Sequence, residues 1–401
     1  MNPRHTLLIA AAVLGACLPA AAQREPGYDF SVVSQVRIDM RDLGYPPIDV
    51  IPSGESAIRA LAVAPDGKIY GATSGDRSHL FQLEPQHGYV VPLGRLADKT
   101  VHHSLVVGSN GDVFIGTSLA VDNNGEGYSG YAGGHLLKYV AKAAAGRRGG
   151  ASIQIDKDCP VQDLGIPVKG QGIYALAMDR ARHMIYGLTY PDGEFFSFNS
   201  ENGEFKSHGR VARAKYPGEK FENEKNIARA LVVAKDGWVY TSGGGNFYRC
   251  TVGAKEVEEL SVRVPTVPGR EAYNRVDAFA QDEAGNIYGG TSDGYLFRFD
   301  PSRMKADNLG KPLSQYRIRG LVAARNGKLY GIGGDTDDMA RLFSYDPATG
   351  VYDMLGMIDV NHRPYYSWQG YVFDSMAIGL DGTIYMGQAE RRSKLYLFYP
   401  N

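Results

Sequence analysis

The chain has 401 residues, among them 50 glycines and 26 tyrosines, with 11% aromatic and 22% charged side chains and a formal net charge of -1. That composition suits a Gly- and Tyr-rich all-β protein and argues against a disordered or membrane-embedded one. A near-zero net charge gives no support for nucleic-acid binding.

The N-terminal stretch MNPRHTLLIAAAVLGACLPAAAQ has a basic start, an apolar middle and small residues before Gln23. It reads as a secretory signal peptide over 1–22, too short to span a membrane. A periplasmic or secreted protein is expected, with 23–401 as one domain. LGAC at 14–17 also resembles a lipoprotein cleavage box, which would instead leave Cys17 as a lipidated N-terminus. Beyond Cys17 only Cys159 and Cys250 remain, in different repeats. No disulfide is expected between them, so the fold must hold by packing.

Residues 58–96 (IRALAVAPDGKIYGATSGDRSHLFQLEPQHGYVVPLGRL) set the pattern for the rest. Four apolar runs at 58–64, 68–73, 79–83 and 89–93 predict four antiparallel strands. Asp66-Gly67 between the first two predicts a two-residue type I′ hairpin. The unit then recurs. First strands are IRALAVA, HHSLVVG, IYALAMD, ARALVVA, VDAFAQD, IRGLVAA and FDSMAIG. Six end in Asp66-Gly67, Asn110-Gly111, Asp236-Gly237, Ala284-Gly285, Asn326-Gly327 and Asp381-Gly382; the third has Arg180-Ala181 instead. Second strands (KIYGATS, NIYGGTS and the like) and third strands (HLFQL, YLFRF and the like) follow each time.

The seventh copy ends at Asn401 without a fourth strand. The missing strand is expected at 38–46, IDMRDLGYP, which matches the fourth-strand text VQDLGIP at 161–167. Seven four-stranded antiparallel blades closed by an N-terminal strand make a β-propeller, a ring that leaves no open edge.

In such a ring the first strand of each blade lines the channel. Arg59, His103, Tyr174, Arg229, Asp277, Arg319 and Asp374 share one position near the start of that strand, so they should circle one mouth. Polar groups converging on a pocket need partners or a ligand. His79, His135 and Tyr190 stand at strand ends of the same face, while His102 should point away from His103 and pack. The long loops of that face run over 119–134, 211–226 and 359–370. The last carries Tyr365, Tyr366 and Trp368, aromatic faces suited to stacking on sugar rings.

The segments HSLVVG (His103), GGHLLKY (His135), GIYALAMD (Tyr174) and YGLTYPDGEFF (Tyr190) resemble those of the seven-bladed polysaccharide lyases that cleave ulvan. They are also similar to related propeller enzymes acting on α-L-rhamnosyl-(1→4)-glucuronate in plant gums. The resemblance covers nearly the whole chain as architecture and rests on these short segments for its specificity. It implies that His103 and Tyr174 perform the elimination and that His135 is the family's second histidine. If Tyr190 occupies the place of the family's charge-neutralising arginine, Arg229 or Arg319 has to substitute.

Residue chemistry runs beside this. Cleaving a 4-linked uronate removes the proton on C5, next to the carboxylate, and expels O4. The intermediate concentrates negative charge on the carboxyl group, where cationic donors must be aimed. Arg59, Arg229 and Arg319 supply forked, permanently charged donors. Tyr174 beside cations can serve as base, returning the proton to the departing oxygen, and His103 could share that transfer or hold the carboxylate as an imidazolium. The expected substrate is an acidic polysaccharide and the expected state a monomer.

The same residues also admit blander roles. Tyr174 could plug the channel, His103 could be a satisfied channel residue, and the arginines could pair with Asp277 and Asp374 as a structural ring. Asp277 and Asp374 could instead hold a hard cation such as Ca²⁺, though the elimination needs no cofactor. Two other classes stay open: an α-L-rhamnosidase working from the opposite face, where His87 and His183 lie, and a non-catalytic glycan- or protein-binding propeller.

Overall fold

The computed structural model describes residues 31–33, 36–39, 51–85, 89–121, 126–141, 157–211, 227–314, 316–334, 339–362 and 366–400. The expected signal peptide with Cys17, His87, Tyr365 and most of 211–226 lie outside the described residues. So do the side chains of Tyr366 and Trp368.

Seven antiparallel sheets follow one another along the chain. Their first strands are Ala57–Val63, Leu105–Val107, Gly172–Asp179, Val232–Val233, Val276–Gln281, Ile318–Ala323 and Phe373–Ile378. Each first strand touches those of the two neighbouring sheets, and the seventh touches the first, which closes a seven-bladed propeller around a central channel. Among the described residues no helix is long and apolar enough to cross a membrane.

Alternation explains how each blade buries both faces. Ile69 packs with Tyr385 and Leu395 of blade 7, and the next residue, Tyr70, packs with Leu137 and Tyr139 of blade 2. Successive side chains of a strand point to opposite faces, so one IY pair serves two interfaces. The glycine that follows is equally specific. Gly71, Gly187, Gly289 and Gly331 lie directly across from Phe81, Phe196, Phe297 and Phe343 on the third strand. A Cβ on any of the four would come within 2.1–2.3 Å of the facing ring. The repeated YG and F of the sequence are therefore one contact, an aromatic ring laid over a glycine. Cys159 and Cys250 are both buried and free.

The six Asp-Gly-type turns are hairpins of a different kind from the type I′ expectation. In the first, Gly67 N–H donates to the Ala64 carbonyl at 3.0 Å and Ala64 N–H donates to that of Lys68 at 2.9 Å. Only the glycine has positive φ, at +87°, so this is a type I turn followed by a left-handed glycine. Asp66 stays right-handed because its carboxylate accepts the Lys68 N–H two residues on. In blade 3, where that glycine is missing, His183 takes the left-handed position at φ +55°.

Ring closure uses the N-terminal segment, shifted from the expected 38–46. Val36–Asp39 pairs antiparallel with the last strand of blade 7, Val36 opposite Leu397 and Asp39 opposite Lys394. Residues 40–46 lie outside the described part. A further strand, Ser31–Val33, runs parallel to Met357–Asp359 on the outside of blade 6. Two thirds of the expected aromatic loop is also strand: Val351–His362 continues into a hairpin with Tyr366–Gln369.

Candidate active site at the channel mouth

A local irregularity repeated around the ring aims the site. In blade 1 Ile58 faces Thr73 and Ala60 faces Ala72, so Arg59 between them is an extra residue with no cross-strand partner. Tyr174, Asp277, Arg319 and Asp374 stand at the same interruption in blades 3, 5, 6 and 7. A bulge turns its extra side chain out of the alternation and bends the strand. In blades 2 and 4 the regular strand begins later. There His103 N–H donates to the Tyr174 carbonyl (3.0 Å) and Arg229 N–H to that of Val276 (3.2 Å), in the next blade of each pair.

The charged members meet across the channel. Asp374 accepts from Arg229 Nη1 at 3.0 Å and from Arg319 Nη1, with Arg59 Nη1 at 3.6 Å. Asp277 accepts from Arg275 Nε and Arg317 Nε, both at 2.8 Å, and Arg229 Nε approaches it at 3.9 Å. Five guanidinium groups from blades 1, 4, 5 and 6 thus gather on two buried carboxylates. Burial alone would raise the Asp374 carboxyl, but Arg319, Arg229 and Arg59 outweigh it and hold it well below the usual carboxylate range. Arg317, Arg275 and Arg229 do the same for Asp277. The two candidate cation ligands are occupied by arginines, and among the described residues no three His, Cys, Asp or Glu side chains converge as a metal site.

Arg275 and Arg317 are the residues missed by aligning one position per repeat. They stand two residues before Asp277 and Arg319, just ahead of the strands Val276–Gln281 and Ile318–Ala323. An arginine at that place in two adjacent repeats was a visible signal.

Tyr174 lies against these cations, 1% exposed, in a cavity of about 710 Å³ that Arg59, His102, Arg229, Arg319 and Asp374 also line. Its hydroxyl is buried and has no hydrogen-bond partner among the described residues. His103 and His102 stand edge-on to its ring, centroids 6.1 and 5.1 Å away. Burial, then Arg229, holds His103 down to about 3, which favours the neutral imidazole over the imidazolium. His102, expected to pack away from the site, lines the cavity because 101–104 is not regular strand and alternation does not apply there. Its Nε2 lies 3.1 Å from the Leu119 carbonyl, and burial and Arg59 keep it neutral. A neutral ring donating through Nε2 leaves Nδ1 as an acceptor.

The remaining candidates are elsewhere. Tyr190 is fully buried behind Tyr174, ring centroids 5.8 Å apart, with Tyr128 at 5.3 Å on its other side. His135 faces outward, its Nδ1 2.8 Å from Asp163 on the fourth strand. His79 is buried against Glu55 at 2.7 Å. On the opposite face His183 is exposed, with Glu201 at 3.8 Å. That end of the channel is crossed by Arg180, which donates to the Val107 carbonyl at 3.0 Å and to that of Val63 at 2.9 Å.

No protein-family model and no curated protein matches the chain. Similarity is found among solved structures. A streptogramin B lyase shares 12% identity at a TM-score of 0.59, over 91% of this chain and 98% of that one. A virginiamycin B lyase from Staphylococcus aureus shares 10% at 0.58, over 86% and 96%. The extracellular domain of a one-component system from B. thetaiotaomicron shares 14% at 0.53, over 91% of this chain and 40% of that chain. At such identities the likeness shows the propeller fold alone.

Proposed function

We propose that the chain is a polysaccharide lyase that cleaves a 4-linked uronate, of the rhamnosyl-α-1,4-glucuronate type, by β-elimination at the channel mouth. The observation that carries this reading is the Tyr174 hydroxyl, buried without a partner among the described residues in a cavity walled by Arg59, Arg229 and Arg319. Buried polar groups are nearly always satisfied, and the exceptions call for an explanation such as a catalytic role.

The uronate carboxylate would enter among the guanidinium groups. Its charge is then neutralised, which makes the proton on C5 removable. Ionised Tyr174 takes that proton; the C5–H electron pair forms the C4=C5 double bond as the C4–O4 bond breaks. The new phenol returns its proton to the departing O4. His103 and His102, both neutral, border the tyrosine and can accept or relay a proton once the arriving carboxylate offsets the arginines. No cofactor enters the reaction. Export through residues 1–22, or anchoring through Cys17, and action as a monomer accompany this reading.

The test is product formation. Purified protein mixed with uronic-acid polysaccharides should generate the absorbance of an unsaturated uronate near the ultraviolet edge. Neutral polysaccharides should not be substrates. Cleavage without that absorbance, or turnover of a neutral glycan, would overturn the reading.

A further inference from the structure

The cavity does not end at the arginine ring, and we infer that its outer arm, over blades 5 and 6, is a second subsite for an anionic sugar. The ligand is then held as a polymer through at least two charged units. The inference rests on the carboxylate-binding reading above and adds to it the length of ligand the site requires.

Arg270, Tyr273, Ser292 and Tyr316 complete the cavity wall beyond the ring. At about 710 Å³ the space lies in the upper half of the usual range for small-molecule sites, roughly 300–1,000 Å³. One carboxylate on the ring arginines leaves most of it to neighbouring units.

Arg270 is the charged contact. Its side chain is 54% exposed, and its Nε donates to Asp293 at 3.1 Å. Asp293 is fully buried and also accepts from Thr266 Oγ1 at 2.6 Å and Val267 N–H at 3.2 Å. One edge of the guanidinium is thereby pinned to a rigid loop. The Arg270 side chain makes no other hydrogen bond among the described residues. A guanidinium has five N–H donors in a fork that matches a carboxylate.

Tyr316 is the stacking contact. It is 51% exposed, and the Lys311 ammonium stands over its ring, 4.5 Å from the centroid. The next residue, Arg317, is held at φ +63°, a left-handed conformation costly for a non-glycine residue. Gly334 N–H lies 3.1 Å from both the Tyr316 and the Arg317 carbonyls and ties this turn down. Strain of this kind persists where the surroundings over-determine it, and it clusters at ligand sites. A fixed aromatic face beside a pinned guanidinium suits a uronate ring, with its C–H face on the tyrosine and its carboxylate on the arginine.

The experiment is calorimetric binding of rhamnosyl-α-1,4-glucuronate oligosaccharides of two and of six units, which carry one and three carboxylates. It uses full-length protein carrying Tyr174→Phe, so that nothing turns over. The hexamer should bind about tenfold tighter or more than the dimer. Adding Arg270→Ala or Tyr316→Ala should bring the two affinities together by weakening the hexamer alone, and Arg270→Lys should restore part of the difference. Both residues are exposed, and unchanged melting of the variants will verify folding. Equal affinities for the two lengths, a length effect untouched by Arg270→Ala and Tyr316→Ala, or no binding of either oligosaccharide would each overturn the subsite. The lyase reading fails separately, if the length effect holds while protein without Tyr174→Phe releases no unsaturated product from the hexamer.

Discussion

Tyr174 keeps a buried hydroxyl without a partner among the described residues, and such a group costs roughly 1–3 kcal/mol. A residue that only filled the channel would do so better as phenylalanine. Tyr174→Phe is therefore expected to leave the melting temperature unchanged or to raise it. Activity on uronate polymers should fall by about 10²–10⁴-fold, the usual contribution of a general acid–base group. Near-parental turnover in this variant would remove the tyrosine from the mechanism. Asp374 behaves in the opposite sense. It is 2% exposed and neutralises part of the charge of Arg59, Arg229 and Arg319. Asp374→Ala takes that carboxylate from the buried Arg229 and Arg319 guanidinium groups and from the partly exposed Arg59. Removing one member of a buried ion pair costs about 3–5 kcal/mol, so the midpoint of chemical denaturation should drop sharply. A variant as stable as the parent would mean that the arginines are neutralised elsewhere.

At the scale of the strand, two devices repeat: the glycine under an aromatic ring, and the bulge that aims the ring residue. In Gly331→Ala the new Cβ would lie 2.3 Å from Phe343 Cζ. Either the ring or the strand has to move, and overpacking of this order costs roughly 1–3 kcal/mol. The thermal midpoint should fall by several degrees, while substrate affinity is kept because the contact is away from the mouth. Unchanged melting would show that Phe343 has room to turn. The bulges explain why strand alternation misjudged the site. Alternation assumes an unbroken register, and here the register breaks at the ring residue of five blades. In blade 2, irregular backbone at 101–104 brings both His102 and His103 to Tyr174.

At the scale of the whole molecule, closure and charge decide stability. Deleting residues 1–39 removes both Val36–Asp39 and Ser31–Val33 and bares the last strand of blade 7, an exposed edge open to aggregation. Soluble yield and melting temperature should both fall, and a truncated chain that melts with the full one would refute the closure. Acid should weaken the ring as well. His102, His103 and His208 all have pKa values depressed below the ordinary 6.5, chiefly by burial. They are neutral when folded, whereas the unfolded chain takes up protons from about pH 6.5 downward. Stability is full above that pH and declines below it, by up to about 1.4 kcal/mol per pH unit for each histidine. For His103 the decline continues until pH reaches its folded value of about 3. Asp277 and Asp374, also depressed, add a loss of the same sign below their ordinary 3.8. Denaturation midpoints measured between pH 7.5 and 4 should fall steadily, and a flat profile would mean that these imidazoles have access to water.

The sequence by itself determined the propeller, the number of blades and the identity of the ring residues. Those follow from period-two alternation and the glycine of six of the seven turns, which are local properties of the chain. Closure by the N-terminal segment was legible too, but its register was not, because a match of fourth-strand text does not say which residues pair. Only the tertiary structure decided which carboxylate each arginine meets. Arg229 reaches Asp374 and Asp277 on other blades, and no spacing in the chain encodes a distance across the channel. His135 and Tyr190 were read as strand-end residues on the same face as the ring. The fold turned one outward to Asp163 and buried the other behind Tyr174, since a strand end can present its side chain to the channel, the rim or the blade interface. Tyr174 was chosen in the sequence for its chemistry. That its hydroxyl lacks a partner among the described residues is a property of what packs around it.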